Sequence, residues 1–316
     1  MNRSAQLVGL IGLCGLSVWS LFIGVIDMSP LDILRDREAF SLLAISRFPR
    51  TAAVLISGAS LAIVGAIMQM MVRNRFVEPM TSGTGSGAAL GILWVSIVLP
   101  AAPLLVKMML ASLTALICTI GFLAIVRRLP PSQPLYVPLV GIIYGGVIGA
   151  GVTYFAYQAD LLQYLDIWTN GEFSGVLKGR YEIIWIAALT ALLAYFAADQ
   201  FAIVGLGRDR SVNLGLNYEQ VMLLGLIAIS VVTALIVTTP GMIPFVGLVV
   251  PNIVARLFGD NLRQTLPTVA LFGATLVLLS DITGRLVRFP FEVPVGTIMG
   301  IVGAFVFLWL LYGRRA

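Results

Sequence analysis

The sequence predicts an all-α protein, a polytopic transmembrane bundle of about ten helices. Apolar residues make up 59% of the chain and charged residues only 11%, against about 25% charged in ordinary soluble domains. The mean hydropathy is +0.99. The apolar runs are also long: the first, from Ala5 to Ile26, carries no charge. About 20 helical residues cross the ~30 Å hydrocarbon layer. Because the runs are continuous rather than alternating, they favour helices over a β-barrel.

Apolar runs of spanning length follow one another from end to end, so we expect residues 1–316 to form a single transmembrane domain. The run at 243–258 is the weakest, because it is short and contains Pro244 and Pro251. If that run does not cross, every later segment takes the opposite orientation. The predicted spans are 5–26, 51–72, 84–99, 103–126, 136–157, 183–204, 219–238, 243–258, 265–287 and 293–312.

The short loops predict the orientation of the chain. Placing the N-terminus in the cytoplasm puts a narrow majority of the Lys and Arg residues on the cytoplasmic side, as the positive-inside rule requires. With ten spans the C-terminus is then cytoplasmic too. On the opposite side, Ser29–Asp32 resembles the start of a short surface helix, with an N-cap serine and Pro30 at the first helical position. Residues 160–182 are too polar to cross but include Trp168 and Phe173, which favours a short helix at or dipping into the outer surface.

The missing residue types exclude several kinds of chemistry. The chain contains no histidine, which removes histidine metal sites and histidine general bases. Cys14 and Cys118 each fall inside a predicted span, where a thiol behaves as a small apolar residue, so we expect no disulfide, metal site or cofactor. No Gly-Lys dipeptide occurs, so the P-loop that cradles ATP is absent and any ATP hydrolysis must come from another subunit. The net charge of +5 reflects loop orientation, and we expect no nucleic-acid partner.

A stand-alone, ion-coupled secondary transporter is the alternative from a different functional class. Such carriers generally need carboxylates near the middle of the membrane. Asp281 lies within a predicted span, and Arg285 lies one turn later in an order that favours a self-neutralising ion pair. Ion coupling therefore finds little support. An intramembrane enzyme is disfavoured because histidine and a paired-carboxylate site are both missing.

Glycines recur at four-residue spacing in three of the predicted spans. Such spacing lets helix backbones approach closely, so helix packing is the favoured interpretation and lining of a transport pathway is the alternative. The three rows are Gly83, Gly87 and Gly91; Gly141, Gly145 and Gly149; and Gly296 and Gly300.

Two polar surfaces are candidates for partner binding. The loop Gly205–Leu216 is long enough for a short helix bounded by glycines, and it suits the docking of an ATPase subunit, although it could also be a plain connector. At the other membrane face, the guanidiniums of Arg47, Arg50 and Arg285 suit an acidic protein or an anionic substrate, because arginine forms forked bonds to carboxylates. Anchoring to lipid phosphates is the simpler interpretation of these arginines.

Four ordered stretches, which together cover nearly the whole chain, resemble the permease subunits of ATP-binding-cassette (ABC) importers for iron-siderophores, haem and cobalamin. Asn252 replaces the usual histidine of that family, and Arg75 and Glu78 differ from the commoner residues nearby. These departures resemble the iron-siderophore subgroup. The stretches are Arg47–Thr51 with Gly58–Ala62 and Gly65–Gln69; Arg73–Pro79 with Gly83–Ala88; Pro244–Arg256; and Asp281–Arg285 with Glu292–Gly296.

The resemblance implies a ten-helix permease of the type II importer class, located in the bacterial inner membrane and itself not an enzyme. It implies a second permease subunit, identical or not, with the substrate path between the two. It also implies two cytoplasmic ATP-binding subunits and a periplasmic or extracellular substrate-binding protein that presents acids to Arg47, Arg50 and Arg285. The most favoured cargo is an iron-siderophore complex, with cobalamin or haem as the alternative. The ATPase subunits would contact the coupling loop, with Gly207, Arg208, Asp209, Arg210, Leu214 and Gly215 as its candidate residues.

Overall fold

The computed structural model describes residues 3–24, 26, 29, 36–126, 128–129 and 136–312, and within these ranges the regular structure is helical, without strands. The first half contains α1 (Arg3–Phe22), α2 (Arg37–Leu42), α3 (Phe48–Val72), α4 (Thr84–Val98), α5 (Leu104–Val126), α6 (Tyr136–Gln158) and α7 (Leu162–Thr169). The second half contains α8 (Ile184–Phe196), α9 (Ala198–Val204), α10 (Arg208–Asn213), α11 (Tyr218–Thr238), α12 (Val246–Phe258), α13 (Leu262–Val287) and α14 (Val295–Tyr312).

The predicted all-α bundle is confirmed, and each predicted span coincides with helix. In the described part of the chain, five helices are long and apolar enough to cross a membrane by themselves. They are the continuous helix Arg37–Val72, which joins α2 to α3 through a π-helical turn at Leu43–Arg47, together with α5, α6, α11 and α13. Four shorter apolar helices, α1, α4, α12 and α14, account for most of the remaining predicted spans.

Two predicted spans differ from simple straight helices. The span at 183–204 is a bent pair, because the chain turns by 63° between α8 and α9. The weak span at 243–258 contains only the 13 residues of α12, about 20 Å of helix, which is shorter than the hydrocarbon layer. Crossing there requires the non-helical segment 239–245 as well. Most of the predicted surface helix at Ser29–Asp32 lies outside the described residues.

Helix α3 is the centre of the bundle, and two glycines let other helices reach its backbone. A methyl group built on Gly58 would overlap the carbonyl of Gly273 in α13, and one built on Gly65 would overlap the backbone of Gly247 in α12. Gln69 reinforces the second crossing, because its Nε2 donates a hydrogen bond to the Gly247 carbonyl at 3.0 Å. Backbone contact of this kind is how helices pack tightly in a membrane, where the hydrophobic effect does not drive helices together.

The segment after α6 folds as expected from its aromatic content. It contains the short helix α7, and the side chains of Trp168 and Phe173 are buried. The Met242 amide donates to the Trp168 carbonyl at 2.9 Å, and the Gly296 amide donates to the Gly171 carbonyl at 3.0 Å. The segment therefore joins the loop that follows α11 to the start of α14.

The glycine rows include positions in close helix contact and positions without a neighbour, and pathway lining stays an untested alternative. A methyl group on Gly91 would overlap the Thr114 side chain of α5, and one on Gly87 would come within 2.7 Å of the Cβ atom of Cys118. These glycines serve helix packing, as predicted. A methyl group on Gly300 would meet no atom within 4 Å, so that position in α14 faces open space.

The crossing of α3 and α12 generates a stability prediction. We expect Gly65→Ala to lower the thermal stability of the purified protein, because the added methyl group displaces the α12 backbone; overpacking typically costs about 1–3 kcal/mol. Gly12→Ala in α1 is the matched control, since a methyl group there meets nothing within 4 Å. Unfolding is followed by intrinsic fluorescence in mild detergent. Equal melting temperatures for the two variants would contradict the close crossing.

Candidate functional site

A buried network of charged side chains lies where α3 begins and α13 ends. Asp281 of α13 is fully buried and lies between two arginines. Its Oδ1 accepts from Arg50 Nη2 at 2.7 Å, and its Oδ2 accepts from Arg285 Nη2 at 2.7 Å. Arg50 also donates to Glu292 Oε1 at 2.9 Å, just before α14. The predicted pairing of Asp281 with Arg285 is confirmed, and the structure adds Arg50 and Glu292 to it.

The same network closes the C-terminal end of α1. Arg285 Nη1 donates to the carbonyls of Ser20 and Ile23, each at 2.9 Å. Arg47 Nη1 donates to the Leu21 carbonyl at 2.8 Å, and its Nη2 donates to the Ile26 carbonyl. The last carbonyls of a helix lack partners within the helix and carry partial negative charge. The two guanidiniums therefore cap α1 and hold it against α3 and α13.

The three arginines predicted to dock the binding protein all make internal contacts. Arg47 and Arg285 are 7% and 5% exposed, and the side chain of Arg50 is 14% exposed. Arg50 and Arg285 meet at Asp281, whereas Arg47 contacts the last turn of α1 and the chain just after it. Each guanidinium already has internal hydrogen-bond partners. Their geometry favours a structural role, and docking stays a prediction for them.

The coupling loop lies at the opposite end of α3. Helix α10 runs from Arg208 to Asn213, and both glycines that bound it, Gly207 (φ +107°) and Gly215 (φ +81°), have positive φ, which glycine adopts readily. The predicted helix bounded by glycines is therefore confirmed. Ser211 fixes it to α9, because its Oγ donates to the Ile203 carbonyl at 2.9 Å.

The surface of the coupling loop combines charge with apolar side chains. Arg208, Asp209 and Arg210 are exposed, and Leu214 is 64% exposed. Arg208 lies 3.4 Å from Glu219 of α11, an exposed ion pair that contributes little to stability. This surface is compatible with protein docking, which stays a prediction for the loop, with a plain connector as the alternative.

The sequence analysis did not identify Glu78 as a candidate. This residue lies in the connection between α3 and α4 and is only 1% exposed. Its Oε1 accepts a hydrogen bond from the Phe245 amide at 2.7 Å, and the amides of Gly247 and Leu248 also face the carboxylate. A carboxylate at a helix N-terminus compensates the partial positive charge there. The apolar residues on either side of Glu78 were the only sequence signal of its burial.

Asn252, which replaces the usual histidine of the resembling family, also has a defined role in the fold. Its Nδ2 donates to the Arg75 carbonyl at 2.6 Å and to the Leu248 carbonyl at 2.7 Å. Asn252 therefore joins the first turns of α12 to the connection after α3. Further along α12, the Arg256 guanidinium lies over the Trp309 ring of α14, 4.6 Å from its centroid.

Comparison with known proteins identifies the family to which this architecture belongs. The model of the FecCD transport family matches residues 12–313. The chain belongs to the FecCD transport family. Members of this family are transport permease subunits, so the resemblance seen in the sequence motifs is confirmed.

Individual relatives agree with this assignment. The chain is 44% identical to the petrobactin import system permease of Bacillus subtilis, over 95% of this chain and 96% of that protein. It is 42% identical to the ferric-anguibactin transport system permease of Vibrio anguillarum, over 94% of this chain and 95% of that protein. A solved structure described as an inward-facing ABC transporter assigned to the metal-chelate type has the same fold, with a TM-score of 0.83 at 24% identity. That match covers 99% of this chain and 100% of the other.

The charged network generates a second stability prediction. We expect Arg285→Ala to destabilise the permease by about 3–5 kcal/mol, because it leaves Asp281 less compensated and uncaps α1. Arg263→Ala is the control, since Arg263 forms an exposed ion pair with Asp199, and such pairs contribute about 1 kcal/mol or less. Denaturant unfolding in detergent measures both. Similar losses in the two variants would contradict the structural role of the network.

Proposed function

We propose that the chain is the permease subunit of an ATP-driven importer that carries an iron-siderophore complex across the bacterial inner membrane. The observation that carries this proposal is the glycine-bounded α10 helix, which exposes charged and apolar side chains on an otherwise apolar protein of the FecCD family. The names of the two most similar relatives described above support a siderophore as cargo. The permease itself performs no bond chemistry in this proposal, and a separate subunit hydrolyses ATP.

Each proposed partner corresponds to a different surface of the bundle. Two ATP-binding subunits contact the coupling loop of this chain and that of a second permease subunit, identical or not. The substrate path runs between the two permeases, and both chain termini lie in the cytoplasm with the coupling loop. Long apolar side chains on α6 and α14, such as Ile142, Val147 and Phe305, are exposed and available to the second permease or to lipid.

A substrate-binding protein docks on the opposite face, beside the charged network. Arg50 and Glu292, with side chains 14% and 26% exposed, are the members of the network that such a partner could reach most easily. Arg47 and Arg285 are more deeply buried, so their proposed contribution to docking acts through the position of α1. Transport proceeds when binding-protein docking and ATP hydrolysis shift the helices between two packing states.

The cargo is tested directly by uptake. We expect cells that express the chain with its neighbouring transport genes to accumulate radioiron from a ferric siderophore, such as ferric petrobactin, but not cobalamin or haem. Deletion of the chain should abolish this uptake. Cobalamin uptake without iron uptake would identify the alternative cargo of the same family. Accumulation by the purified chain alone, driven by a proton or sodium gradient, would instead establish the ion-coupled carrier.

The docking role of the coupling loop is tested by reversing its charge. We expect Asp209→Lys with Arg210→Glu to uncouple the importer, so that substrate-binding protein no longer stimulates ATP hydrolysis while the permease stays folded. Arg128→Glu, a charge reversal at an exposed residue outside the loop and away from the proposed binding-protein face, is the control. ATPase activity is measured on the whole complex in lipid nanodiscs. Normal stimulation in the double variant would exclude these two residues from coupling.

The role of Arg50 is tested by comparing docking with stability. If Arg50 serves docking as well as the charged network, Arg50→Ala lowers the melting temperature and also weakens the affinity of the binding protein for the permease that remains folded. If Arg50 serves only the charged network, the melting temperature falls and the affinity of the remaining folded protein is normal. Surface plasmon resonance on nanodisc-held permease separates the two outcomes.

A further inference from the structure

The connection Arg73–Pro79, here termed the bridge segment, lies between the coupling loop and α12. Arg73 ends α3 with a left-handed backbone (φ +53°). Its guanidinium lies against Gly207, the residue of the coupling loop just before α10, so closely that a methyl group on Gly207 would overlap it. This contact places one end of the bridge segment directly against the surface proposed to bind the ATPase subunit.

The other end of the bridge segment is fastened to α12 by two buried side chains. Glu78 Oε1 accepts from the Phe245 amide at 2.7 Å, at the N-terminus of the helix. Asn252 Nδ2 donates to the Arg75 carbonyl at 2.6 Å, about two turns further along. The two residues are 1% and 8% exposed. Glu78 is almost fully removed from water, so its hydrogen bond holds the start of α12 to the segment more firmly than an exposed one would.

The attachment point on α12 is also its most strained residue. Phe245 has φ +68°, a left-handed conformation that costs free energy in a residue other than glycine and persists only where surrounding contacts impose it. Its side chain packs against Gly303 of α14, where an added methyl group would overlap the Phe245 ring. A displacement of Phe245 therefore changes the packing of α14.

The bridge segment has space beside it. A cavity of about 340 Å³ opens between the end of α3, the bridge segment, α12 and the start of α13. Its lining includes Arg73 and Asn74 from the segment, and Pro251 and Asn252 from α12. The bridge segment and the middle of α12 therefore have unfilled space on one side.

We propose that Glu78 is a positioning residue for transport, which makes the bridge segment and the N-terminus of α12 move as one unit. Displacement of the coupling loop pushes on Arg73, and the Glu78 hydrogen bond carries that displacement to Phe245 and so to α14. This inference depends on the proposed function. The proposed function names the surface to which the ATPase docks. The present inference adds the residue that transmits a displacement of that surface to α12 and α14.

The test compares Glu78→Ala with Glu78→Gln in the complete importer, reconstituted in vesicles with its ATPase subunits and binding protein. Radioiron-labelled ferric petrobactin is the probe, and ferric uptake and ATP hydrolysis are measured on the same vesicles. We expect Glu78→Ala to lower uptake per ATP about tenfold, the factor lost with one hydrogen bond to a charged group. The glutamine variant keeps an oxygen that accepts from the Phe245 amide, so it should restore most of the coupling. Asp199→Ala removes an exposed carboxylate and is the matched control.

Uptake per ATP hydrolysed separates a relay from a simple structural role, because loss of folded protein lowers uptake and hydrolysis in proportion. The proposal is overturned if Glu78→Ala keeps the wild-type ratio, or if the alanine and glutamine variants behave alike. Wild-type uptake in the same vesicles tests the proposed function separately. If wild-type vesicles transport the probe and the ratio is unchanged in Glu78→Ala, the importer assignment stands and only the relay fails.

Discussion

The fold depends on how one fully buried carboxylate is neutralised. Asp281 lies in a long apolar helix, where an unpaired charge would be very costly. Arg50 and Arg285 approach it from two directions, and the second arginine also caps the end of α1. The ion pairs thus join α1, α3 and α13, and through Glu292 they reach the start of α14. In a membrane protein, where hydrophobic burial does not by itself hold helices together, this polar network specifies their arrangement.

The two ends of α3 have different physical character. The end with Arg50 is held by ion pairs and by carbonyls that accept from arginine. The end with Val72 leads into a connection that contacts the coupling loop, a cavity and the first turns of α12. Between them, Gly58 and Gly65 bring α13 and α12 against the α3 backbone. Helix α3 is thus fixed at its Arg50 end and has a cavity beside its Val72 end. This arrangement suits a protein that must change its helix packing while it stays folded.

The buried acids also bear on the choice between an importer subunit and an ion-coupled carrier. Asp281 is neutralised by two arginines, and Glu78 faces the amides at the start of α12. Each carboxylate already has fixed partners within the described part of the chain, so neither resembles an open site for a coupling ion. The exposed α10 helix is instead the surface that we propose for docking of an external ATPase subunit. Membership of the FecCD transport family agrees with that interpretation.

The sequence by itself determined the all-α class, the positions of the spanning helices, the glycine-bounded coupling helix and the ion pair between Asp281 and Arg285. These features are local: they follow from apolar length, from glycine at positive φ and from residues one helical turn apart. The sequence also carried the family motifs, and the comparison with relatives confirmed them.

Only the tertiary structure decided which partners the long-range side chains meet. Arg50 donates a hydrogen bond to Asp281, 231 positions away in the sequence. Glu78 accepts one from the amide of Phe245, 167 positions away. An arginine at the end of a span has the same local pattern whether it faces a partner protein or an internal carbonyl, so the burial of Arg47 could not be predicted. The contact between the ring of Phe245, the left-handed residue just before α12, and Gly303 of α14 also joins positions far apart in the sequence.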